Sequence, residues 1–133
     1  MIKVAIDTNV LIYLHDTELS YKREKANELI SINPVICAQV ISEYLNVCHK
    51  RLKITKQDSL NSLMAWLPYC ELSVFGSVIY TKSMGLIQKY QFQMFDAIIV
   101  SSALLSDCEI LYSEDMQHNL IVEKQLKIVN PFI

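Results

Sequence analysis

The chain has 133 residues, 52% of them hydrophobic and 20% charged, which offsets the ordering entropy that keeps polar, charge-rich chains disordered and fits a single globular domain over residues 1–133. Its 12 Lys and Arg against 14 Asp and Glu leave a net charge of −2, which argues against nucleic-acid binding through a broad basic face, so any contact with phosphate must rely on local cations or metal. No apolar run approaches the roughly 20 residues that span a bilayer and the N-terminus lacks a secretory pattern, so a cytoplasmic protein without membrane contact is expected.

The elements follow one another in a regular alternation. Lys3-Val4-Ala5-Ile6 reads as a strand that ends at Asp7-Thr8-Asn9, residue types suited to turns and helix N-termini. Ser20 to Ile32 places Ala26, Leu29 and Ile30 on one face of a charged segment, the spacing of a surface helix, which Asn33-Pro34 stops. Val35-Ile36-Cys37 is a second strand, followed by a helix to about Arg51 whose apolar face is Val40, Ile41, Tyr44, Leu45, Val47 and Cys48. A further helix covers Lys56 to Trp66 before Pro68, and Leu72-Ser73-Val74 is the third strand. Ser77 to Tyr90 is helical by its spacing, and Phe95 to Leu105 is apolar nearly all round, as a buried helix would be. Ile110-Leu111-Tyr112 and Leu126-Lys127-Ile128-Val129 complete about five strands. Strands separated by helices predict an α/β fold with an open parallel sheet covered by helices on both faces.

In such sheets the ligand crevice lies beyond the carboxyl ends of the strands, near the point where strand order reverses. Asp7 directly follows the first strand, Glu43 lies about six residues past the second, Asp96 opens the buried helix, and Asp115 follows the fourth strand by three residues. All four acids therefore fall on one edge. Each alone has a local explanation, as a cap, a turn or a solvated helix residue. Together they are harder to dismiss, because Glu43 and Asp96 have apolar sequence neighbours and none of the four adjoins Lys or Arg in sequence. Two unit charges about 4 Å apart repel by about 4 kcal/mol at an effective dielectric near 20, so converging carboxylates need protons or cations. Oxygen donors without a Cys or His pattern suit Mg²⁺ or Mn²⁺. The only glycines, Gly76 and Gly85, lie in no phosphate-cradling loop. Cys37, Cys48, Cys70 and Cys108 lack zinc or redox spacing and are expected to be reduced and buried, and His15, His49 and His118 share no ligand spacing.

The sequence resembles the PIN-domain family, specifically its VapC-like toxin ribonuclease branch. Ile6-Asp7-Thr8-Asn9-Val10-Leu11-Ile12-Tyr13 is similar to the family's opening motif, Ile41-Ser42-Glu43 to its second, Phe95-Asp96-Ala97-Ile98-Ile99 through Ala103 to its third, and Ile110-Leu111-Tyr112-Ser113-Glu114-Asp115-Met116 to its fourth. The resemblance implies a PIN-like fold and a Mg²⁺- or Mn²⁺-dependent ribonuclease with Asp7, Glu43, Asp96 and Asp115 as catalytic metal ligands and Asn9 and Ser113 as polar support. It also implies a cognate antitoxin protein and a homodimer. Members often carry Gly after the third motif, where this chain has Ser106-Asp107-Cys108, and many have a second acid two residues after the fourth, where this chain has Gln117. That second departure makes Glu114 an alternative to Asp115.

Two basic groups stand out, Lys22-Arg23 with Lys25 and Lys50-Arg51 with Lys53 and Lys56. Either suits a solvated helix face, and Lys50 and Arg51 are the better candidates for contact with an RNA backbone. Tyr13, Tyr44 and Trp66 are read as core residues. The competing expectation is a PIN-like protein- or RNA-binding module without catalysis. An aspartyl-phosphate chemistry fits poorly, because a phosphatase of that kind needs Asp where Asn9 stands.

Overall fold

A computed structural model describes residues 2–18 and 20–133. The strands are β1 (Val4–Ile6), β2 (Val35–Cys37), β3 (Glu71–Ser73), β4 (Ile110–Tyr112), β5 (Ile121–Val122) and β6 (Leu126–Val129), and the helices are α1 (Thr8–Ile12), α2 (Tyr21–Ile30), α3 (Ala38–Lys50), α4 (Lys56–Trp66), α5 (Val78–Tyr90) and α6 (Met94–Leu105). They form one sheet in the order β3-β2-β1-β4-β6-β5, parallel except for β5, which runs antiparallel to β6. The expected α/β architecture is present with one strand more than the sequence pattern indicated.

Every residue of β1 and β2 is buried. Successive strand side chains point to opposite faces, so both faces of the central sheet are covered. The core runs through Ile6, Val10, Leu11, Val35, Ile36, Val40, Tyr44, Val100, Leu111, Leu126 and Ile128, each fully or almost fully buried. Tyr44 meets the Trp66 ring edge-on at 5.2 Å between centroids, and Cys37, Cys48 and Cys108 are buried free thiols while Cys70 is half-buried.

Local chemistry sets the boundaries. Ser20 caps α2 by accepting from the Arg23 amide at 3.1 Å, and Thr55 caps α4 by accepting from the Asp58 amide at 3.1 Å. α6 ends with the Asp107 amide donating to the Leu104 carbonyl and the Cys108 amide to the Ala103 carbonyl. This is the Schellman closure, and it places Asp107 at φ 61°. The last helix departs from expectation at its start: it begins one residue earlier, at Met94, and although residues 97 and 99–104 are buried, Phe95 is exposed. Strand β3 lies one residue earlier than the pattern predicted, as an exposed edge.

β1 pairs β2 on one side and β4 on the other, with Ala5 opposite both Val35 and Leu111. The chain thus leaves β1 in one direction and later returns to its other side. The crevice expected at this reversal opens beyond Ile6 and Tyr112, immediately before Asp7 and Ser113.

Candidate active site

The strand ladder carries on into the site. The Asp7 amide donates to the Tyr112 carbonyl at 2.9 Å, and the Ser113 amide donates to the Val129 carbonyl at 3.0 Å. The first residue past each strand is therefore fixed by its neighbour strand. Asp7 is 4% exposed and its carboxylate is fully engaged: Oδ1 accepts from the Thr8 amide at 2.7 Å, and Oδ2 accepts from Ser113 Oγ at 2.8 Å and Asn9 Nδ2 at 3.2 Å. Burial still dominates and pushes the Asp7 carboxyl up to about 6, with Asp96 and Glu43 adding repulsion and the Ser113 and Thr8 bonds opposing it.

Glu43 projects from the second turn of α3. Its Oε2 accepts from Thr8 Oγ1 at 2.8 Å and its Oε1 from Gln39 Nε2 at 3.0 Å, so a residue of α1 and the preceding turn of α3 hold it from two sides. Asp96 lies in the first turn of α6. Burial raises its carboxyl, and the charges of Glu43 and Asp115 raise it further. Ser113 Oγ also accepts from the Met116 amide at 3.2 Å, closing the turn that carries Asp115.

These elements enclose a cleft of about 260 Å³ lined by Asp7, Thr8, Asn9, Glu43, Asp96 and Asp115, with Ile12, Asn46, Val47 and Arg51 completing the wall. All four acids singled out from the sequence face one space. Asn9 also lines it and accepts from the Glu114 amide at 3.0 Å through Oδ1, while Ser113 stands behind Asp7. Glu114 is directed elsewhere, paired with Lys22 Nζ at 2.6 Å and Tyr13 OH at 2.6 Å. Although burial pushes the Glu114 carboxyl up, those two bonds outweigh it and hold the group below its ordinary value. Of the two basic candidates, Arg51 lines the cleft and Lys50, exposed, does not.

Thr8, Gln39, Asn46 and Lys22 were not singled out for the site by sequence reasoning. Thr8 lies within the opening motif, so its neighbours point to it. Gln39 one turn before Glu43 and Asn46 three residues after it share a helix face with that acid, and this spacing is the only sequence signal for either.

Four carboxylates and one arginine leave excess negative charge in the cleft, and the oxygen-only donor set suits a hard divalent cation. Among the described residues no three His, Cys, Asp or Glu side chains stand close enough to hold one ion between them as placed. The charges of Asp96 and Glu43 raise the Asp7 carboxyl, and those of Glu43 and Asp115 raise Asp96, which a bound cation would relieve. Among the described residues no helix is long and apolar enough to cross a membrane.

A mostly parallel sheet whose reversal point opens on clustered carboxylates defines an α/β domain built around an acidic cleft. The PIN domain family model matches residues 4–123, and the chain belongs to that family. Among solved structures, a toxin-antitoxin complex from Klebsiella pneumoniae is 22% identical over 98% of this chain and 98% of that one, with a TM-score of 0.71. The DNA-bound VapBC of Salmonella typhimurium is 16% identical, with 96% and 97% covered and a TM-score of 0.69. VapC20 of Mycobacterium tuberculosis, a sarcin-ricin loop cleaving toxin, is 11% identical over 85% and 90%, with a TM-score of 0.67. At these identities the likeness is one of fold, and it agrees with the family read from the motifs. No curated relative matches the chain.

Proposed function

We propose that the protein is a divalent-metal-dependent ribonuclease, the toxin of a toxin-antitoxin pair. The observation that carries this reading is the convergence of Asp7, Glu43, Asp96 and Asp115 on one cleft at the carboxyl ends of β1 and β4. Membership of the PIN family and the shared fold with VapC proteins support it.

Asp7 and Asp96 would hold the principal Mg²⁺ or Mn²⁺, Glu43 a second ion or the attacking water, and Asp115 would complete the set. Metal bound there would supply the acidity that makes water nucleophilic and the charge that stabilises the phosphorus centre and leaving oxygen. The three donors on Asp7 fix its carboxylate before any ion arrives, which limits the ordering cost of binding. Thr8 and Gln39 hold Glu43 in the same way. Arg51, on the cleft wall, would pair with a non-bridging phosphate oxygen, with Lys50 beside it on the approach. In-line attack by water on phosphorus, with the P–O3′ bond breaking and the 3′-oxygen leaving as a hydroxyl, would give a 5′-phosphate and a 3′-hydroxyl.

A cognate antitoxin would reach this cleft with a basic residue, because a cation on the four acids would compete with metal. A homodimer is proposed with it, on the family resemblance. The spacing of the acids, too wide as placed for three to share an ion, favours the second reading, a PIN-like binding module without catalysis.

Calorimetric titration with Mg²⁺ and Mn²⁺, followed by incubation with structured RNA and chelator controls, decides between them. Metal binding and RNA cutting that both vanish in Asp7→Asn and Asp96→Asn support the nuclease; a folded wild-type chain that neither binds metal nor cuts supports the module.

A further inference from the structure

Two adjacent acids, Glu114 and Asp115, follow β4, and only Asp115 faces the cleft. Both Glu114 oxygens are occupied: Oε1 accepts from Tyr13 OH at 2.6 Å and Oε2 from Lys22 Nζ at 2.6 Å. The same ammonium donates to Tyr13 OH at 3.1 Å and lies 4.8 Å from the Tyr13 ring centroid and 5.2 Å from that of Phe132. Phe132 in turn meets Tyr13 edge-on at 5.0 Å. This ion pair has both side chains half-buried, at 30% and 24% exposure, unlike the Lys89–Glu123 pair, at 61% and 34%. Partial withdrawal from solvent and two aromatic faces strengthen such a contact over a solvated pair.

The contact reaches the cleft through a short route. The Glu114 amide donates to Asn9 Oδ1 at 3.0 Å, and Asn9 Nδ2 donates to Asp7 Oδ2 at 3.2 Å. On its other side the turn is tied by the Met116 amide to Ser113 Oγ, and Met116 is buried. Asp115, itself exposed, is thereby suspended between two fixed neighbours.

We propose that Lys22 and Tyr13 are positioning residues of the site: by holding Glu114 away from the cleft they present Asp115 to it and keep Asn9 on Asp7. The inference rests on the metal-dependent reading of the cleft. It assigns to one residue of the basic group on α2 a structural partner in place of solvent, and it explains which of two neighbouring acids serves the site. The compensated Glu114 charge also stays out of the repulsion among the four cleft acids.

The test is Mn²⁺ calorimetry on the full chain, with circular dichroism and thermal melting of each variant. Lys22→Met and Glu114→Gln are expected to weaken Mn²⁺ binding about tenfold, as loss of a support behind a metal ligand does. Lys22→Arg should restore most of the affinity, and Lys89→Met, which breaks the more exposed pair with Glu123 outside the cleft lining, should leave it unchanged. A lowered Tm with wild-type Mn²⁺ affinity in folded Lys22→Met would mean a purely structural pair and overturn the proposal. Should Lys22→Met not fold, Tyr13→Phe removes the two hydrogen bonds of the hydroxyl, to Glu114 and from Lys22, while keeping the ring, and unchanged affinity there overturns it equally. A wild-type chain that binds no Mn²⁺ would overturn the reading of the cleft itself, an outcome visible before any variant is made.

Discussion

The Ser113 hydroxyl donates to Asp7 Oδ2 at 2.8 Å, across 106 residues of sequence. Both groups are buried, and Ser113 Oγ in turn accepts from the Met116 amide at 3.2 Å. Ser113→Ala leaves a buried carboxylate and a buried amide each short of a partner, at a cost of about 1–3 kcal/mol. Urea unfolding should register that loss, and Mn²⁺ affinity should fall about tenfold. Wild-type affinity in Ser113→Ala would remove Ser113 from the support of the site.

Stability in chelator should depend on pH through Asp7. Its carboxyl is raised by burial to about 6 from an ordinary value of 3.8. The folded state therefore holds this proton more tightly than the unfolded one. The resulting contribution is fully present below about pH 4 and is lost as pH rises through about 6, on the order of 3 kcal/mol in all. Asp96, also raised by burial, acts with the same sign. His15 is lowered by burial and acts in the opposite sense, losing stability as pH falls. Comparing thermal melts of wild type and Asp7→Asn between pH 4 and pH 7 cancels the groups that do not interact with Asp7, leaving its own contribution and its coupling to Asp96 and Glu43. The wild type should lose ground to the variant as pH rises, and parallel curves would refute the shift.

Arg51 and Lys50 are neighbours with different surroundings, since only Arg51 lines the acidic cleft. Arg51→Ala should raise KM for RNA and reduce the slope of log affinity against log salt by about 1, as expected for one lost phosphate contact. Lys50→Ala should do so more weakly. Equal effects from the two would place the RNA backbone along the helix end instead of in the cleft.

Asp107 closes α6 in the left-handed region at φ 61°. A residue with a Cβ is strained there by about 1–2 kcal/mol relative to glycine. Asp107→Gly should raise the urea midpoint with no change in m-value, and a lower midpoint would mean that the Asp107 side chain contributes more than its backbone costs.

Strand and helix assignments for the central elements followed directly from patterning, because β1, β2 and β4 are continuous apolar runs and α3 and α4 carry clear helical spacing. β5 was missed because Ile121–Val122 is two residues long, too short for any period, and exists only by pairing with β6. The expected burial of the helix from Phe95 to Leu105 failed at Phe95, since an apolar composition does not reveal which residues of the first turn face solvent. The four acids were found because each follows an identifiable strand or opens a helix. Lys22 was not, because its partner Glu114 lies 92 residues away and nothing local distinguishes it from the charges beside it. Choosing between Glu114 and Asp115 likewise required the tertiary contact that occupies one of them.

The ladder that seats Ser113 depends on β6, through the Ser113 amide and the Val129 carbonyl. A chain still emerging from the ribosome holds Asp7, Glu43 and Asp96 well before it holds the strand that locks the turn after β4. Until residue 129 has been made and has paired, Asp7 lacks its buried hydroxyl donor and Asp115 its mooring. The order of synthesis thus places completion of the cleft after residue 129, when the segments that carry Asp7, Glu43 and Asp96 have already been made.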